Sequence, residues 1–512
     1  MNFFLKVLDS LRWRTTTGLL TLSLLAGCAS PVQRVELPAE AALAPSSDRF
    51  WRHITDDSPH DWFHLLNSYD EAYRWRIAMI DSAHSSIDLE TFLWKPDVTG
   101  AGIVTHLLAA ADRGVRVRLL LDDSFTARED LTLHHLDGHP NIELRLYNPY
   151  GYRAQSMAGR TVFNANDFQR VNHRMHNKTL IVDGWAVIVG GRNLADEYFG
   201  SHSTYNFRDM EVLAMGGSVD QVSEHFDSFW NSGWSVPVGQ LVEGVATEQD
   251  LAELRAELET IVGPASVSTE KQLSASWHAV SKEAVLGTAT FLSDEPASSD
   301  PALMAERPDQ LALKIKQAID SATNELIAVS AYLVPTQELE SSLAAAVERG
   351  VRVRLLTNSM RSNNHLSAYA AYGGHIRQLL ASGVELHEVR VDARDRARYM
   401  ADPVQDKQLG LHAKFLLVDN DQVFVGSSNL DPRSLQLNTE VGLMIHSEEL
   451  NGRLRAAIAD DFAPQNSWSV QLNDDKLSWH SDKEVLYHSP SDSVFQQLES
   501  WFFGLLPIES QM

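Results

Sequence analysis

The sequence predicts an α/β protein made of two homologous halves, each a sheet covered by helices, and three observations carry that prediction. The pattern His-x-Lys-x4-Asp occurs twice, at His176/Lys178/Asp183 and at His412/Lys414/Asp419, and each copy is followed ten residues after its Asp by Asn193 or Asn429. Every element of the second copy lies 236 residues beyond its counterpart (176 to 412, 178 to 414, 183 to 419, 193 to 429). The same offset links Ala-Asp-Arg-Gly-Val-Arg-Val-Arg-Leu-Leu (111–120) to Val-Glu-Arg-Gly-Val-Arg-Val-Arg-Leu-Leu (347–356), while Ile-Asp-Ser-Ala recurs at 80–83 and 319–322. Self-similarity at one spacing means a duplicated structural unit. Helix-like and strand-like stretches also alternate in both copies, as α/β layers require.

Within each half the order of elements is the same. A helix (Tyr73–Ala83; Leu311–Ala322) precedes an apolar strand (Ile87–Leu93; Leu326–Tyr332). A second helix (Ile103–Arg113; Leu339–Arg349) ends in Arg-Gly, a helix stop signal, and a β-branched strand starts at Val115 or Val351. Each motif histidine is expected on a short strand, because Thr179–Val182 and Phe415–Val418 are apolar runs closed by turn residues. At 512 residues the chain has ample length for two such domains. The expected organisation is 61–240 and 305–465 for the halves, joined by a linker at 241–304 that holds one helix, Glu248–Ile261.

The termini add a cellular expectation. Basic residues (Lys6, Arg12, Arg14) precede an apolar run, Gly18–Ala26, and then the single cysteine, Cys28, in Leu25-Ala26-Gly27-Cys28. The run is too short to span a bilayer of roughly 30 Å and suits the apolar core of a signal peptide covering residues 1–27. Leu-Ala-Gly-Cys resembles the bacterial lipobox, which implies lipidation of Cys28 and a mature chain without an unmodified thiol, so that disulfides and cysteine nucleophiles are excluded. Ala29 is not the Asp that marks inner-membrane retention, and the resemblance therefore favours the periplasmic face of the outer membrane, with the inner membrane as the alternative. Residues 28–60 read as a tether. The extension 466–512 carries Phe495, Leu498, Trp501, Phe502, Leu505 and Leu506 on one helical face, suited either to a membrane interface or to the protein's own core.

A net charge of −25 excludes a generally basic nucleic-acid binder. The exception is Tyr152–Lys178, where Arg153, Arg160, Arg170, Arg174 and Lys178 stand against a lone Asp167, interleaved with Tyr152, Met157, Val162, Phe163 and Phe168. Such a stretch suits a lipid phosphate with its acyl chains, or is simply a solvated loop.

Paired histidines and lysines describe phosphodiester chemistry. Imidazole serves as nucleophile or as acid because its ordinary pKa lies near 6.5. Attack by His makes a phosphohistidine and divides one difficult displacement into two easier ones. Lys178 and Lys414, two residues from their histidines, fall on the same strand face and can meet the phosphoryl oxygens, with Asn193 and Asn429 as neutral donors. The lysines supply the positive charge, so neither a metal nor another cofactor is required. Asp209 and Glu440, 33 and 28 residues beyond the histidine of their own half, are the candidate carboxylates that fix the imidazoles. Asp183 and Asp419, though part of the motif, are expected to turn the chain after the catalytic strand.

The two motifs with their Gly-x-x-Asn followers resemble the phospholipase D superfamily, and more closely its bacterial cardiolipin synthases. Arg174-Met175-His176-Asn177-Lys178, Gly190-Gly191-Arg192-Asn193, Tyr332-Leu333-Val334-Pro335-Thr336, Leu411-His412-Ala413-Lys414, Asp431-Pro432-Arg433-Ser434 and Leu437-Asn438-Thr439-Glu440 carry the resemblance, which spans about residues 60–508. It implies two α-β-α sandwiches in pseudo-twofold symmetry with the site between them. It implies phosphatidyl transfer from a lipid such as phosphatidylethanolamine onto phosphatidylglycerol at a membrane, with His176 as nucleophile and His412 as general acid. Arg170 and Arg174 are the candidates for holding the anionic acceptor. The alternatives are a hydrolase releasing phosphatidic acid, a secreted nuclease, which acidity disfavours, and a degenerate binding protein, which the complete motifs disfavour.

Overall fold

The computed structural model describes residues 32–45, 49–52, 54, 61–297 and 310–504. Each half is built on a mixed sheet. In the N-terminal half three parallel strands, Ser86–Thr91, Arg116–Asp122 and Ile142–Tyr147, lie side by side. Antiparallel Thr179–Val182, Ala186–Gly190, Glu211–Met215 and Asp61–Leu66 extend the sheet on one side. The C-terminal half repeats the plan with parallel Glu325–Val329, Arg352–Asn358 and Glu385–Val389, extended by Phe415–Val418, Gln422–Gly426 and Val441–His446.

The helices have local causes that match between copies. Asp97 caps Val98–Asp112 by accepting from Gly100 N at 3.0 Å, and Thr336 caps Gln337–Glu348 by accepting from Leu339 N at 3.3 Å. Both helices stop at glycines with positive φ, Gly114 at 92° and Gly350 at 89°. The arginines before them have a second use. Arg113 donates to Ile80 O and Asp81 O, and Arg349 to Ile319 O, Asp320 O and Ala322 O. Each Arg thus satisfies the carbonyls at the end of the preceding helix, the segment where Ile-Asp-Ser-Ala recurs.

Both faces of each sheet are buried, which is why the strands read as continuous apolar runs. Along Ala186–Gly190, Ala186 and Ile188 join the outer core of the N-terminal half, whereas Val187 and Val189 face inward. That inner core is shared: Val187, Val189 and Val212 of one half pack in the same cluster as Phe415, Leu417, Val423 and Leu443 of the other. Helices Ser218–Trp230 and Glu448–Ile458 add Phe226, Phe229, Leu450 and Leu454 to it. A common apolar core makes the two halves one rigid unit rather than hinged domains.

Four expectations are corrected. Residues 241–304 are no simple linker: besides the helix Glu248–Val262, the helix Glu270–Glu283 buries Trp277 in the N-terminal core. The strand Val285–Ser293 then pairs first with Asp61–Phe63 and next with Val441–His446, tying the two sheets together. Within 28–60, residues 32–45 are bonded to the N-terminal half rather than free, Val35 N donating to Gly233 O and Arg145 pairing with Glu40. The start of the C-terminal extension is part of a sheet, because Ser467–Asn473 pairs with Glu385–Val389. Finally, the motif histidines precede the strands Thr179–Val182 and Phe415–Val418 instead of lying in them. The signal peptide, Cys28, Leu505 and Leu506 lie outside the described residues.

Candidate active site

The histidine segments are held by strand-like exchanges between the halves. Thr439 N donates to Arg174 O at 2.9 Å and His176 N donates to Thr439 O at 2.9 Å, a parallel bridge that seats His176 beside Glu440. In the other copy Tyr205–Arg208 pairs in parallel with Gln408–Leu411, and His412 N donates to Arg208 O at 2.8 Å, which seats His412 beside Asp209. His176 Nδ1 lies 2.8 Å from Glu440 Oε2, and His412 Nδ1 lies 2.7 Å from Asp209 Oδ2. This corrects the expected pairing: each imidazole takes its carboxylate from the opposite half. With Nδ1 engaged, Nε2 is the nitrogen left for chemistry on both rings.

All these groups are buried, and they sense one another. The Lys178 and Lys414 charges both depress both imidazoles, after burial itself, so the two motifs form one site. Lys178 Nζ donates to His176 O at 2.6 Å and Lys414 Nζ to His412 O. Burial lowers Lys178 to about 7 and Lys414 to about 8. Burial also holds His176 well below 6.5 and His412 at about 3. An anion entering the site favours the charged form of all four groups.

The carboxylates differ. Burial acts against ionisation of Asp209, but the His412 and Lys414 contacts and the Arg192 charge outweigh it and hold Asp209 below the usual carboxylate range. Burial pushes Glu440 up to about 8 despite Lys178 and the bond from Ser427 Oγ at 2.5 Å. Gly191 makes room for Asp209, since a Cβ there would sit 2.6 Å from Asp209 Oδ1.

The remaining predicted residues take distinct places. Asn193 Oδ1 and Asn429 Oδ1 are buried without a hydrogen-bond partner. Asp183 and Asp419 sit beyond the far ends of their strands, both with positive φ (54° and 49°). Asp183 accepts from Ser85 N, Ser86 N, His84 N and Trp51 Nε1, and Asp419 accepts from Thr323 N, Asn324 N and Glu325 N. The basic stretch is not an open cationic surface. Arg153 and Arg160 pair with Asp123 and Asp130. Arg170 pairs with Asp167 and donates to Asn148 Oδ1 at 2.5 Å and Pro149 O at 3.0 Å, so the expected acceptor contact would have to displace protein partners. Arg174 contacts Asp122 at 3.4 Å and retains one buried nitrogen, Nη2, without a partner.

Sequence reasoning missed Arg433, which bridges the halves by donating to Asn172 O and Oδ1 and whose charge reaches His176. Its signal was present in Asp431-Pro432-Arg433-Ser434. The aromatic walls were also missed: the Phe92 ring stands 4.8 Å from the His176 ring, and Tyr198 and Phe207 stand 4.9 and 5.0 Å from His412. Among the described residues no group of His, Cys, Asp and Glu has the arrangement of a metal site, and no helix is long and apolar enough to cross a membrane.

Known proteins match this arrangement along most of its length. The family described as cardiolipin synthase, phospholipase D-like domain, matches twice, at residues 77–230 and 315–462. Cardiolipin synthase C of Escherichia coli K12 is 34% identical over 470 residues, covering 87% of this chain and 95% of that protein. Cardiolipin synthase B of the same organism is 26% identical over 394 residues, 76% of this chain and 78% of that one. The crystal structure of phosphatidylserine synthase from Haemophilus influenzae Rd KW20 shares the fold, with a TM-score of 0.57 at 15% identity over 91% of this chain and 100% of that chain. The chain belongs to the cardiolipin synthase, phospholipase D-like family.

Proposed function

We propose, on the premise of that membership, that the chain is a phosphatidyltransferase which makes cardiolipin from phosphatidylglycerol and a second phospholipid such as phosphatidylethanolamine. The observation that carries the reading is a pair of buried imidazoles, each with Nδ1 against a carboxylate of the opposite half, in one site with two lysines.

In the first step the lone pair of His176 Nε2 forms the N–P bond, the headgroup O–P bond breaks, and the departing oxygen takes a proton from His412 Nε2. In the second, a glycerol hydroxyl of phosphatidylglycerol gives its proton to His412 and its oxygen attacks phosphorus, releasing His176. The assignment of roles is the one the family resemblance implies: His176 Nδ1–H donates to Glu440 and leaves the Nε2 lone pair for phosphorus, while Asp209, held ionised, together with the bound phosphate anion favours the proton on His412. Lys178, Lys414 and Arg433 supply positive charge to the phosphoryl oxygens, with Asn193 and Asn429 as further donors. A chelator is expected to leave the rate unchanged.

At a membrane, phosphatidylglycerol hydroxyls stand at high local concentration and compete with water for the phosphohistidine. Lipidation of Cys28 would hold the enzyme at such a surface, on the periplasmic face of the outer membrane. Mass spectrometry of the mature N-terminus tests this, and an intact Met1 without acyl mass defeats it. The reaction is tested by incubating purified protein with labelled phosphatidylglycerol, with and without phosphatidylethanolamine, and separating the lipids. Cardiolipin is the expected product. Phosphatidic acid as the dominant product at saturating phosphatidylglycerol would make the protein a hydrolase.

A further inference from the structure

Phe92 is one wall of a cavity of about 270 Å³ in the N-terminal half. Its walls are chiefly apolar: Val104, Leu121, Leu133, Leu136, Leu254 and Leu258. Leu254 and Leu258 come from the helix Glu248–Val262, which belongs to the segment between the halves. That helix is built to hold its place. Thr247 and Asp250 form a reciprocal cap at its start, and Gly263 ends it with φ 74°.

Two side chains join the cavity to the catalytic groups. Phe92 lines the cavity and stands edge-on to His176 at 4.8 Å, with Lys178 Nζ 5.4 Å from the centre of its ring. Asp122 lines the cavity as well, and its carboxylate accepts from Met175 N at 2.9 Å, the residue before His176. At the rim are exposed Phe125 and Ile261, with Lys95, Glu129 and Glu257.

We infer that this cavity receives one acyl chain of the phosphatidyl group attached to His176. The inference rests on the phosphatidyl-transfer reading and specifies how the group is held. A phosphatidyl group on His176 carries its acyl chains only a glycerol away from phosphorus, and the ring that stands against His176 is part of the cavity lining. A lining of leucines and valine favours an alkyl chain over water or a polar headgroup, which would lose hydrogen bonds there. The chain would anchor the covalent intermediate while one headgroup alcohol leaves and the next arrives.

The test is an acyl-length series of donor lipids in mixed micelles at fixed surface fraction. For wild-type protein kcat/KM should rise about four-fold per methylene until the cavity is full and then level off. Leu258→Trp, which fills the cavity, should lower the long-chain to short-chain ratio of kcat/KM at least about ten-fold, and Leu258→Ala should move the plateau to longer chains. An unchanged ratio, or an equal loss at every length, overturns the inference. A lipid with a photoreactive diazirine at the acyl terminus supplies a readout independent of turnover. It should label peptides covering 121–136 and 254–261, and Leu258→Trp should abolish that labelling. Labelling confined to other surfaces overturns the inference. If no lipid is turned over at all, the transferase reading fails, and the labelling pattern still decides the cavity.

Discussion

The two halves bring the same imidazole, lysine and asparagine to the site but surround them differently. His412 faces Asp209, which is held ionised with help from the Arg192 guanidinium, whereas His176 faces Glu440, which burial pushes up to about 8. The cause can be traced to the Gly-x-x-Asn followers. Gly190-Gly191-Arg192-Asn193 supplies a glycine that admits Asp209 and an arginine whose charge favours it. Gly426-Ser427-Ser428-Asn429 supplies a neutral hydroxyl to Glu440 instead. The walls differ too, Phe92 beside His176 and Tyr198 with Phe207 beside His412. A duplicated site can therefore divide the nucleophile and acid roles without any change in the catalytic residue type.

The sharpest break of this comparison is removal of either imidazole. His176→Ala and His412→Ala are each expected to reduce transfer by about 10³-fold or more, with the double variant no worse than either single one. Retention of more than a few per cent of activity by one of them would separate the halves. Trapping the phosphoenzyme on His412 would exchange the roles.

Next come the carboxylates, with an expected loss of about 10²- to 10⁴-fold for Asp209→Asn or Glu440→Gln. A donor with a p-nitrophenol headgroup needs no protonation to leave. It should restore the nitrophenol burst in His412→Ala and in Asp209→Asn, but not in His176→Ala or Glu440→Gln. Rescue that grouped Asp209 with His176 would contradict the crossed pairing.

The lysines set the pH dependence. A lysine with a lowered pKa is charged below that value and neutral above it. Since burial lowers Lys178 to about 7 and Lys414 to about 8, kcat/KM should fall as pH rises through 7 to 8. The bound phosphate favours the charged lysines, so kcat should hold to higher pH. A kcat/KM profile flat from pH 6 to 9 would refute this assignment.

The smallest effects concern the motif aspartates, and they are effects on stability. Asp183→Ala strands the buried Ser86 N and Trp51 Nε1 and the part-buried Ser85 N and His84 N, and should cost about 3 kcal/mol or more, measured by denaturant unfolding. Asp419 accepts similar bonds at a more exposed turn, so Asp419→Ala should cost less. Equal losses would show that the two turns are energetically alike.

Much of the fold was legible because periodicity and capping are local. The matched helices, their Arg-Gly ends and the apolar strands follow from neighbours in sequence, and the 236-residue offset exposes the duplication. The basic stretch misled for a physical reason: Asp122, Asp123 and Asp130, which neutralise Arg153, Arg160 and Arg174, lie well upstream in the chain. Val285–Ser293 likewise read as part of a connector, because its partners are strands of both halves.

The sequence by itself determined that two His-Lys motifs exist in matched frames, which elements precede them, and that the chemistry belongs to phosphodiesters. Only the tertiary structure decided which carboxylate serves which histidine. Each half carries its own candidate carboxylate beyond its histidine, Asp209 after His176 and Glu440 after His412, yet the bridges at Met175–Thr439 and Tyr205–Arg208 with Gln408–Leu411 exchange them. Strand pairing and a shared apolar core act through space, and the apolar pattern that drives two sheets together does not record which polar ends meet at their junction.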